Sequence, residues 1–275
     1  MTVIDDALAR IDSWPVDNAA AVVVGADGSV LGSRGDLDRV YRLASVTKLL
    51  TAYAALVAVE EGVFDLDDPA GPPRSTVRHL LAHTSGLDFS EDKVRAEPGT
   101  RRIYSNRGFD VLAQTLADRA EIPFATYIDE AVFVPLGMAS TKLTGSAGAG
   151  AESTAGDLAR FAAELQRPAL LAPQTLAIAT TVAFPGLDGV LPGYGGQRPN
   201  DWGLGFEVRD GKTPHWTSTS NSPATFGHFG QSGTFLWVDP QAQAACVALA
   251  DRDFGTWASE AWPPLSDAVL AAIRG

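Results

Sequence analysis

Residues 45–61 read SVTKLLTAYAALVAVEE, and this stretch is the most strongly helical in the 275-residue chain. It opens on Ser45, a residue type that commonly caps a helix, it is rich in alanine and leucine, and it stops at Gly62. Because the stretch is apolar nearly all round, it is predicted to be a central helix that other elements cover on every side.

Strands are predicted on both sides of this helix. Upstream, a short amphipathic helix over 2–13 precedes a hairpin with strands 19–25 and 29–33, and 39–43 is a third strand or an extended entry. Downstream, β-like segments precede a final helix. The segments are 203–208, 224–229, 234–238 and 243–250, and the helix is 265–273.

The middle of the chain is predicted to be helical. The helices expected there are 76–83, 107–120, 124–134, 153–165 and 173–182, followed by a glycine- and proline-rich loop over 185–200. This order differs from the regular strand–helix alternation of parallel α/β folds. We therefore predict an α+β fold. Residues 1–64 and 201–275 build an antiparallel sheet flanked by helices, and residues 65–200 form an inserted helical lobe.

The composition restricts the classes of partner. With 33 acidic and 21 basic residues the net charge is −12, which argues against nucleic acid and anionic membrane surfaces. The single cysteine, Cys246, excludes a disulfide framework and is predicted to be buried in a strand. The sequence has no signal-peptide pattern and no apolar run of roughly 18–20 residues. We expect a cytoplasmic protein, monomeric or weakly homo-oligomeric, that acts on a small molecule.

Ser45 and Lys48 form the first candidate catalytic pair. They stand three residues apart at the start of the central helix, so both side chains face the same side. A lysine in an apolar site loses its charge more easily and can accept a serine proton. The backbone N–H of a serine at a helix start is also free to stabilise an oxyanion. The same pattern is compatible with a helix-capping serine and a solvated lysine.

Tyr104 and Asn106 form a second pair, in a loop that enters the helix at Arg107. A tyrosine can act as a base or proton shuttle when cations lower its pKa, and an asparagine can hold a carbonyl or amide of a substrate. The alternative is that Asn106 only caps the helix and Tyr104 packs in the core.

His228 and Gly230 form a third motif, within Gly227-His228-Phe229-Gly230-Gln231-Ser232-Gly233. A glycine at a strand edge allows a substrate backbone to approach closely. Each of the three motifs is a weak signal alone, but their occurrence together and in this order is much more specific.

Together these motifs resemble those of the penicillin-binding-protein-like serine hydrolases, which include class C β-lactamases, D-alanyl-D-alanine carboxypeptidases and related esterases and D-aminopeptidases. The segment Leu80–Leu87 (LLAHTSGL) resembles the LLxHTSGL segment of the same family, and Pro98–Asn106 (PGTRRIYSN) resembles its PGT…YSN run. The resemblance covers most of 40–120 and 225–250, whereas 140–200 has no specific match. A related class of S-x-x-K enzymes carries the motifs S-D-N and K-T-G. This chain has Y-S-N and H-F-G in their place.

The resemblance implies a role for each motif residue. Ser45 would be the nucleophile, and Lys48 and Tyr104 would share its activation and the return of the proton. Asn106 would orient the acyl side, and His228 would line the opposite wall. The backbone N–H groups of Ser45 and of Gln231, next to Gly230, would form the oxyanion hole. Which of Lys48 and Tyr104 takes the first proton stays open, and no cofactor or metal is implied.

Two competing sites are also compatible with the sequence. His79 and His83 have the spacing of metal ligands on a helix, but the motif lacks the glutamate of H-E-x-x-H and no third ligand is indicated. Ser232 lies in a glycine-rich loop similar to that of a serine protease, which would need histidine and aspartate partners.

The function predicted from the sequence is hydrolysis of an ester or amide through an acyl-enzyme on Ser45. The alternatives are a D-Ala-directed carboxypeptidase or D-aminopeptidase, a β-lactamase, and a penicillin-binding-like protein without turnover. A lysine at the position of His228 would clamp a substrate carboxylate permanently, whereas a neutral histidine clamps it more weakly. This difference favours esters over β-lactams.

Overall fold

The computed structural model describes residues 2–275. Its helices are α1 Val3–Leu8, α2 Thr47–Glu60, α3 Val77–Leu81, α4 Asn106–Ala120, α5 Phe124–Ile128, α6 Ala155–Gln166, α7 Pro173–Ala179 and α8 Thr256–Arg274. Its strands are β1 Ala19–Gly25, β2 Val30–Gly35, β3 Tyr41–Arg42, β4 Lys142–Leu143, β5 Ala151–Ser153, β6 Gly189–Leu191, β7 Gly195–Gln197, β8 Glu207–Val208, β9 Phe226–Gly230, β10 Thr234–Asp239 and β11 Ala244–Ala250.

The main sheet is built from both ends of the chain. Its strand order is β2-β1-β11-β10-β9-β8, and every neighbouring pair is antiparallel. In the centre β1 pairs with β11 so that Val22 lies opposite Val247. The predicted α+β fold with an antiparallel sheet is therefore confirmed.

Alternate residues of the central strands point to opposite faces of the sheet, as strand geometry requires. Val22 and Val247 join the core that includes α2 and α6, whereas Val23 and Cys246 join the core that includes α1 and α8. Both faces are thus covered by helices, and Cys246 lies in a buried strand as predicted.

Helix α2 is the centre of the larger core. Every residue from Thr47 to Ala58 is buried, which explains why the sequence is apolar on all sides of this helix. The α-helix begins two residues later than predicted, because Ala44–Val46 forms a 3₁₀ turn that carries Ser45 just before it. The Ser45 side chain therefore does not cap the helix.

Other boundaries also differ from the sequence-based predictions. Helix α8 begins at Thr256, nine residues earlier than the predicted start at 265. The prediction began late because prolines usually mark the first turn of a helix, whereas Pro263 and Pro264 lie inside this one. The short strand β3 pairs with β5 in a separate three-stranded sheet. The predicted loop over 185–200 contains the small hairpin β6–β7.

Helix α6 lies in the range predicted to form the lobe, but it contacts β1 and β11 of the main sheet. The division of the chain into a sheet region and a lobe stays a prediction. Among residues 2–275, none of the helices is both long enough and apolar enough to cross a membrane.

Candidate active site

The 3₁₀ turn that carries Ser45 is held against the end of β9 and the start of β10. Thr234 Oγ1 donates to the carbonyl of Leu43 at 2.9 Å, and Ser232 Oγ donates to the carbonyl of Arg42 at 2.6 Å. A Cβ at Gly230 would lie 2.2 Å from the Leu43 oxygen, so only glycine fits there. Ala44, directly before Ser45, has a φ of 44°, a sparsely populated conformation that strains the backbone at this turn.

Lys48 is completely buried, and its Nζ faces three oxygen atoms. It lies 2.5 Å from Asn106 Oδ1, 2.7 Å from the carbonyl oxygen of Gly148 and 3.4 Å from Ser45 Oγ. The first two oxygens can only accept hydrogen bonds. An uncharged Lys48 has two N–H bonds to donate to them, so its lone pair is left facing the Ser45 hydroxyl.

The environment of Lys48 favours this uncharged form. Burial lowers the pKa of Lys48 well below its ordinary value of 10.5, against a smaller opposing effect from the charge of Asp110. No carboxylate is hydrogen bonded to Nζ, and both close partners other than Ser45 are neutral carbonyl groups. The arrangement can therefore take up a proton from the Ser45 hydroxyl.

Tyr104 lies between Lys48 and His228. Its hydroxyl is 3.1 Å from Nε2 of His228, and Nδ1 of the same ring is 2.6 Å from the carbonyl oxygen of Phe229. That carbonyl can only accept, so Nδ1 carries the proton of the neutral ring, and Nε2 accepts from the Tyr104 hydroxyl. Burial is the main cause that lowers the pKa of His228 to about 3.

Burial also raises the pKa of Tyr104 well above its ordinary value, although the nearby Ser45 hydroxyl lowers it in part. Lys48 Nζ lies 4.6 Å from the centre of the Tyr104 ring. Tyr104 is thus a neutral phenol close to Lys48, and it can pass on a proton without becoming a stable phenolate.

Asn106 is not the helix cap that the alternative interpretation required. Ser105 caps α4, because its Oγ accepts from the backbone N–H of Gly108 at 2.8 Å. The Asn106 side chain is left to contact Lys48. The structure therefore brings Ser45, Lys48, Tyr104, Asn106 and His228 together at one place.

Three other predicted candidates have different surroundings. The Gln231 side chain is exposed, and its Nε2 donates to the carbonyl of Phe254 at 3.2 Å. Ser232 Oγ donates to the carbonyl of Arg42. The His228 ring uses its two nitrogens for Tyr104 and for the carbonyl of Phe229, so Ser232 and His228 do not form a catalytic pair. The ring of His79 stacks on Phe184 with centroids 4.7 Å apart. Residues 2–275 contain no group of three His, Cys, Asp or Glu side chains placed to hold a metal ion.

The sequence model of the Beta-lactamase family matches residues 16–270, nearly the whole chain. The chain belongs to the Beta-lactamase family. The match confirms the resemblance seen in the motifs, and it covers the region 140–200 in which no motif was found.

The chain is also similar to individual proteins of known sequence or structure. A crystal structure of a beta-lactamase from Mycobacterium bovis is 61% identical, with a TM-score of 0.96, over 97% of this chain and 99% of that one. D-alanyl-D-alanine-carboxypeptidase/endopeptidase AmpH of Escherichia coli is 31% identical in an alignment of length 150, and the match covers 41% of this chain and 39% of AmpH. The chain thus spans about two fifths of that relative. EstCE1, a hydrolase with promiscuous acyltransferase activity, shares the fold at 20% identity and a TM-score of 0.79.

His83 is a site residue that the sequence analysis considered only as a possible metal ligand. In this Beta-lactamase-family chain it holds both neighbours of Tyr104. Its carbonyl accepts from the N–H of Ile103 at 2.8 Å, and its Nδ1 accepts from the N–H of Ser105 at 3.2 Å. Its ring packs on Tyr104 with centroids 4.7 Å apart. His83 therefore fixes the backbone from which Tyr104 projects.

A buried ion cluster behind β9 was also missed. Glu207 pairs across the sheet with Gly227, the residue before His228, and accepts from Trp216 Nε1 at 2.6 Å. His215 Nε2 and Lys212 Nζ lie 2.8 Å and 3.2 Å from the same carboxylate. Burial alone would raise the pKa of Glu207, but these two partners outweigh it and hold the pKa at about 2. These charged residues lie outside every motif along the sequence, so the sequence did not indicate that they are buried together.

Proposed function

We propose that this chain is a serine hydrolase that cleaves an ester through an acyl-enzyme on Ser45. Membership of the Beta-lactamase family establishes the general class of serine hydrolase fold, and the nucleophile and substrate are our proposals. One observation carries the proposal: the buried Lys48 Nζ lies 3.4 Å from Ser45 Oγ and has two carbonyl oxygens as its other hydrogen-bond partners. In the uncharged amine these oxygens accept both N–H bonds, so the lone pair is directed at the Ser45 hydroxyl.

In the first step Lys48 accepts the Ser45 proton while Ser45 Oγ forms a bond to the acyl carbon. The backbone N–H groups of Ser45 and Gln231 stabilise the resulting oxyanion. Collapse of this intermediate breaks the bond between the acyl carbon and the leaving oxygen. The Lys48–Tyr104 pair then returns the proton to the leaving oxygen, which departs as an alcohol.

In the second step water attacks the acyl carbon and gives its proton to the same pair. The bond to Ser45 Oγ breaks, the serine takes the proton back, and the carboxylic acid leaves. The sum is ester plus water to acid plus alcohol, so the enzyme returns to its starting protonation state. Asn106, held by Lys48, lies where it can orient the acyl group.

We expect esters to be favoured over β-lactams because His228, the partner of the Tyr104 hydroxyl, is not a cationic clamp. Both nitrogens of His228 are engaged, and its pKa of about 3 keeps the ring uncharged at neutral pH. We therefore expect an activated short-chain ester to have a higher kcat/KM than a cephalosporin. A kcat/KM for any β-lactam that equals or exceeds that of the esters would overturn this preference.

β-Lactam hydrolysis is nevertheless the second candidate, because the 61% identical Mycobacterium bovis protein is described as a beta-lactamase. Intact-mass measurement after exposure to esters, D-amino acid amides and penicillins separates the candidates, since each acyl group adds a characteristic mass. Ser45→Ala should form no adduct, and Ser232→Ala is the matched control that should still form one. An adduct on Ser45→Ala would exclude Ser45 as the nucleophile.

A further inference from the structure

A cavity of about 490 Å³ adjoins the candidate active site beside Tyr104. Apart from Tyr104 its apolar lining consists of Phe89, Ile103, Val190 and Pro192. Of the five motif side chains that the structure brings together, Tyr104 is the one that lines this cavity. The cavity therefore opens at the residue that exchanges a proton with the leaving group in the proposed mechanism.

Both walls of the cavity are attached to the segment that carries Tyr104. On one side the carbonyl of Phe89 accepts from the N–H groups of Asn106 and Arg107, at 2.8 Å and 3.1 Å. On the other side Arg102 donates its N–H to the carbonyl of Asp188 at 3.2 Å and bridges to Gly189, directly before Val190. The positions of Phe89 and Val190 are thus fixed relative to Tyr104.

The two wall side chains are apolar and open to water. Phe89 is 50% exposed and Val190 is 60% exposed. The Phe89 ring lies nearly parallel to that of Tyr104, at 25° and 6.0 Å between centroids. An apolar group that covers both side chains would remove their surface from water, which is the main source of affinity at such a site.

The charges around the cavity disfavour a cationic occupant. Among residues 2–275 no carboxylate lines the cavity, so a cationic group would find no counter-ion there. The guanidinium of Arg102 is buried, and its hydrogen bonds go to the carbonyls of Ala82, Ala183, Phe184 and Asn200. Arg101 contributes the other positive charge of the lining, and it would repel a cation.

We propose that this cavity binds the apolar alcohol portion of the ester, with Phe89 and Val190 as specificity-determining residues. The inference rests on the proposed function, because it places the leaving oxygen at Tyr104. The alcohol, and not the acyl chain, is assigned to the cavity because the leaving oxygen is the substrate atom that must receive a proton there.

The first test compares two series of esters. One keeps the acetyl group and lengthens the alcohol from methyl to butyl and hexyl, and the other keeps methanol and lengthens the acyl chain. In the wild type, kcat/KM should rise along the alcohol series by up to about fourfold per methylene, the limit set by complete burial of each group. Phe89→Ser and Val190→Ser should both flatten this rise. Val134→Ser, at an exposed apolar position that does not line the cavity, should leave the rise unchanged.

The second measurement separates this inference from the proposed function. Every acetate ester yields the same acetyl-enzyme, so the hydrolysis rate of the acetyl adduct on Ser45 should be unchanged in Val190→Ser. This result also shows that this variant is folded. If Val190→Ser flattens the acyl series instead, or slows deacylation, the assignment to the alcohol is overturned. If the wild type forms no adduct on Ser45, the proposed function fails and this inference fails with it.

Discussion

The Tyr104 hydroxyl donates to Nε2 of His228 across 3.1 Å, and the orientation of this bond is set by the second nitrogen of the ring, which donates to the carbonyl of Phe229. His228 is therefore an acceptor that orients Tyr104 and has no proton of its own to give at Nε2. The lone pairs of the Tyr104 oxygen remain available to Ser45. Because Tyr104 and His228 are both neutral at ordinary pH, Lys48 is the group in the proposed mechanism whose protonation state limits acylation.

The pH dependence of acylation should consequently follow Lys48. Its pKa is lowered by burial, and above that pKa the lone pair is free, so kcat/KM should fall as the pH drops through it. The pKa of Tyr104 is raised above its ordinary value of 10, so we expect no loss from tyrosine ionisation below pH 10. His228→Gln should lower the rate but leave the acidic midpoint in place. Disappearance of the acidic limb in this variant would assign it to His228.

Substitution of Lys48 should affect chemistry more than folding. Lys48→Ala should reduce the acylation rate by about 10² or more, the range for loss of a general base. Lys48→Arg should be as inactive, because a guanidinium does not release its proton near neutral pH. Stopped-flow measurement of the acylation burst tests both, with thermal denaturation as the control for folding. Near-native turnover of Lys48→Arg would contradict the Ser–Lys mechanism.

His83 should act as a positioning residue for Tyr104. His83→Leu removes the acceptor of the buried Ser105 N–H, which should cost about 1–3 kcal/mol of stability, and it should lower kcat more than it raises KM. His83→Asn is the matched control, since Asn Oδ1 occupies nearly the position of Nδ1 and asparagine tolerates the positive φ of 57° at this residue. We expect Asn to recover most of the kcat. Equal losses in both variants would indicate a purely structural role.

The sequence predicted those parts of the molecule that depend on side-chain pattern. The antiparallel sheet, the buried helix after Ser45 and the convergence of Lys48, Tyr104 and His228 all follow from apolar periodicity or from motifs. The catalytic roles of these residues remain predictions, because the geometry shows proximity and not turnover.

Contacts that depend on the backbone could not be predicted in the same way. The carbonyl of Gly148, which with Asn106 fixes the direction of the Lys48 lone pair, belongs to a loop 100 residues away and has no side-chain signature. The hydrogen bond from the Ser105 N–H to His83 Nδ1 could not be predicted for the same reason, because its donor is a backbone group. The start of α8 was misplaced because Pro263 and Pro264 are local signals that the tertiary packing overrides.

The free energy of unfolding should decrease steadily as the pH falls from 7 to 5. His83, His215 and His228 are buried, and burial lowers the pKa of each in the folded state. A histidine of the unfolded chain has a pKa of about 6.5, so below that pH the unfolded chain binds more protons than the folded protein. Stability is therefore complete above pH 6.5 and is lost on acidification. With a folded pKa of about 3, His228 alone should account for roughly 2 kcal/mol at pH 5. Urea denaturation at both pH values should show a smaller loss for His228→Gln than for the wild type. An identical loss would mean that His228 is already protonated, or already accessible to protons, in the folded protein.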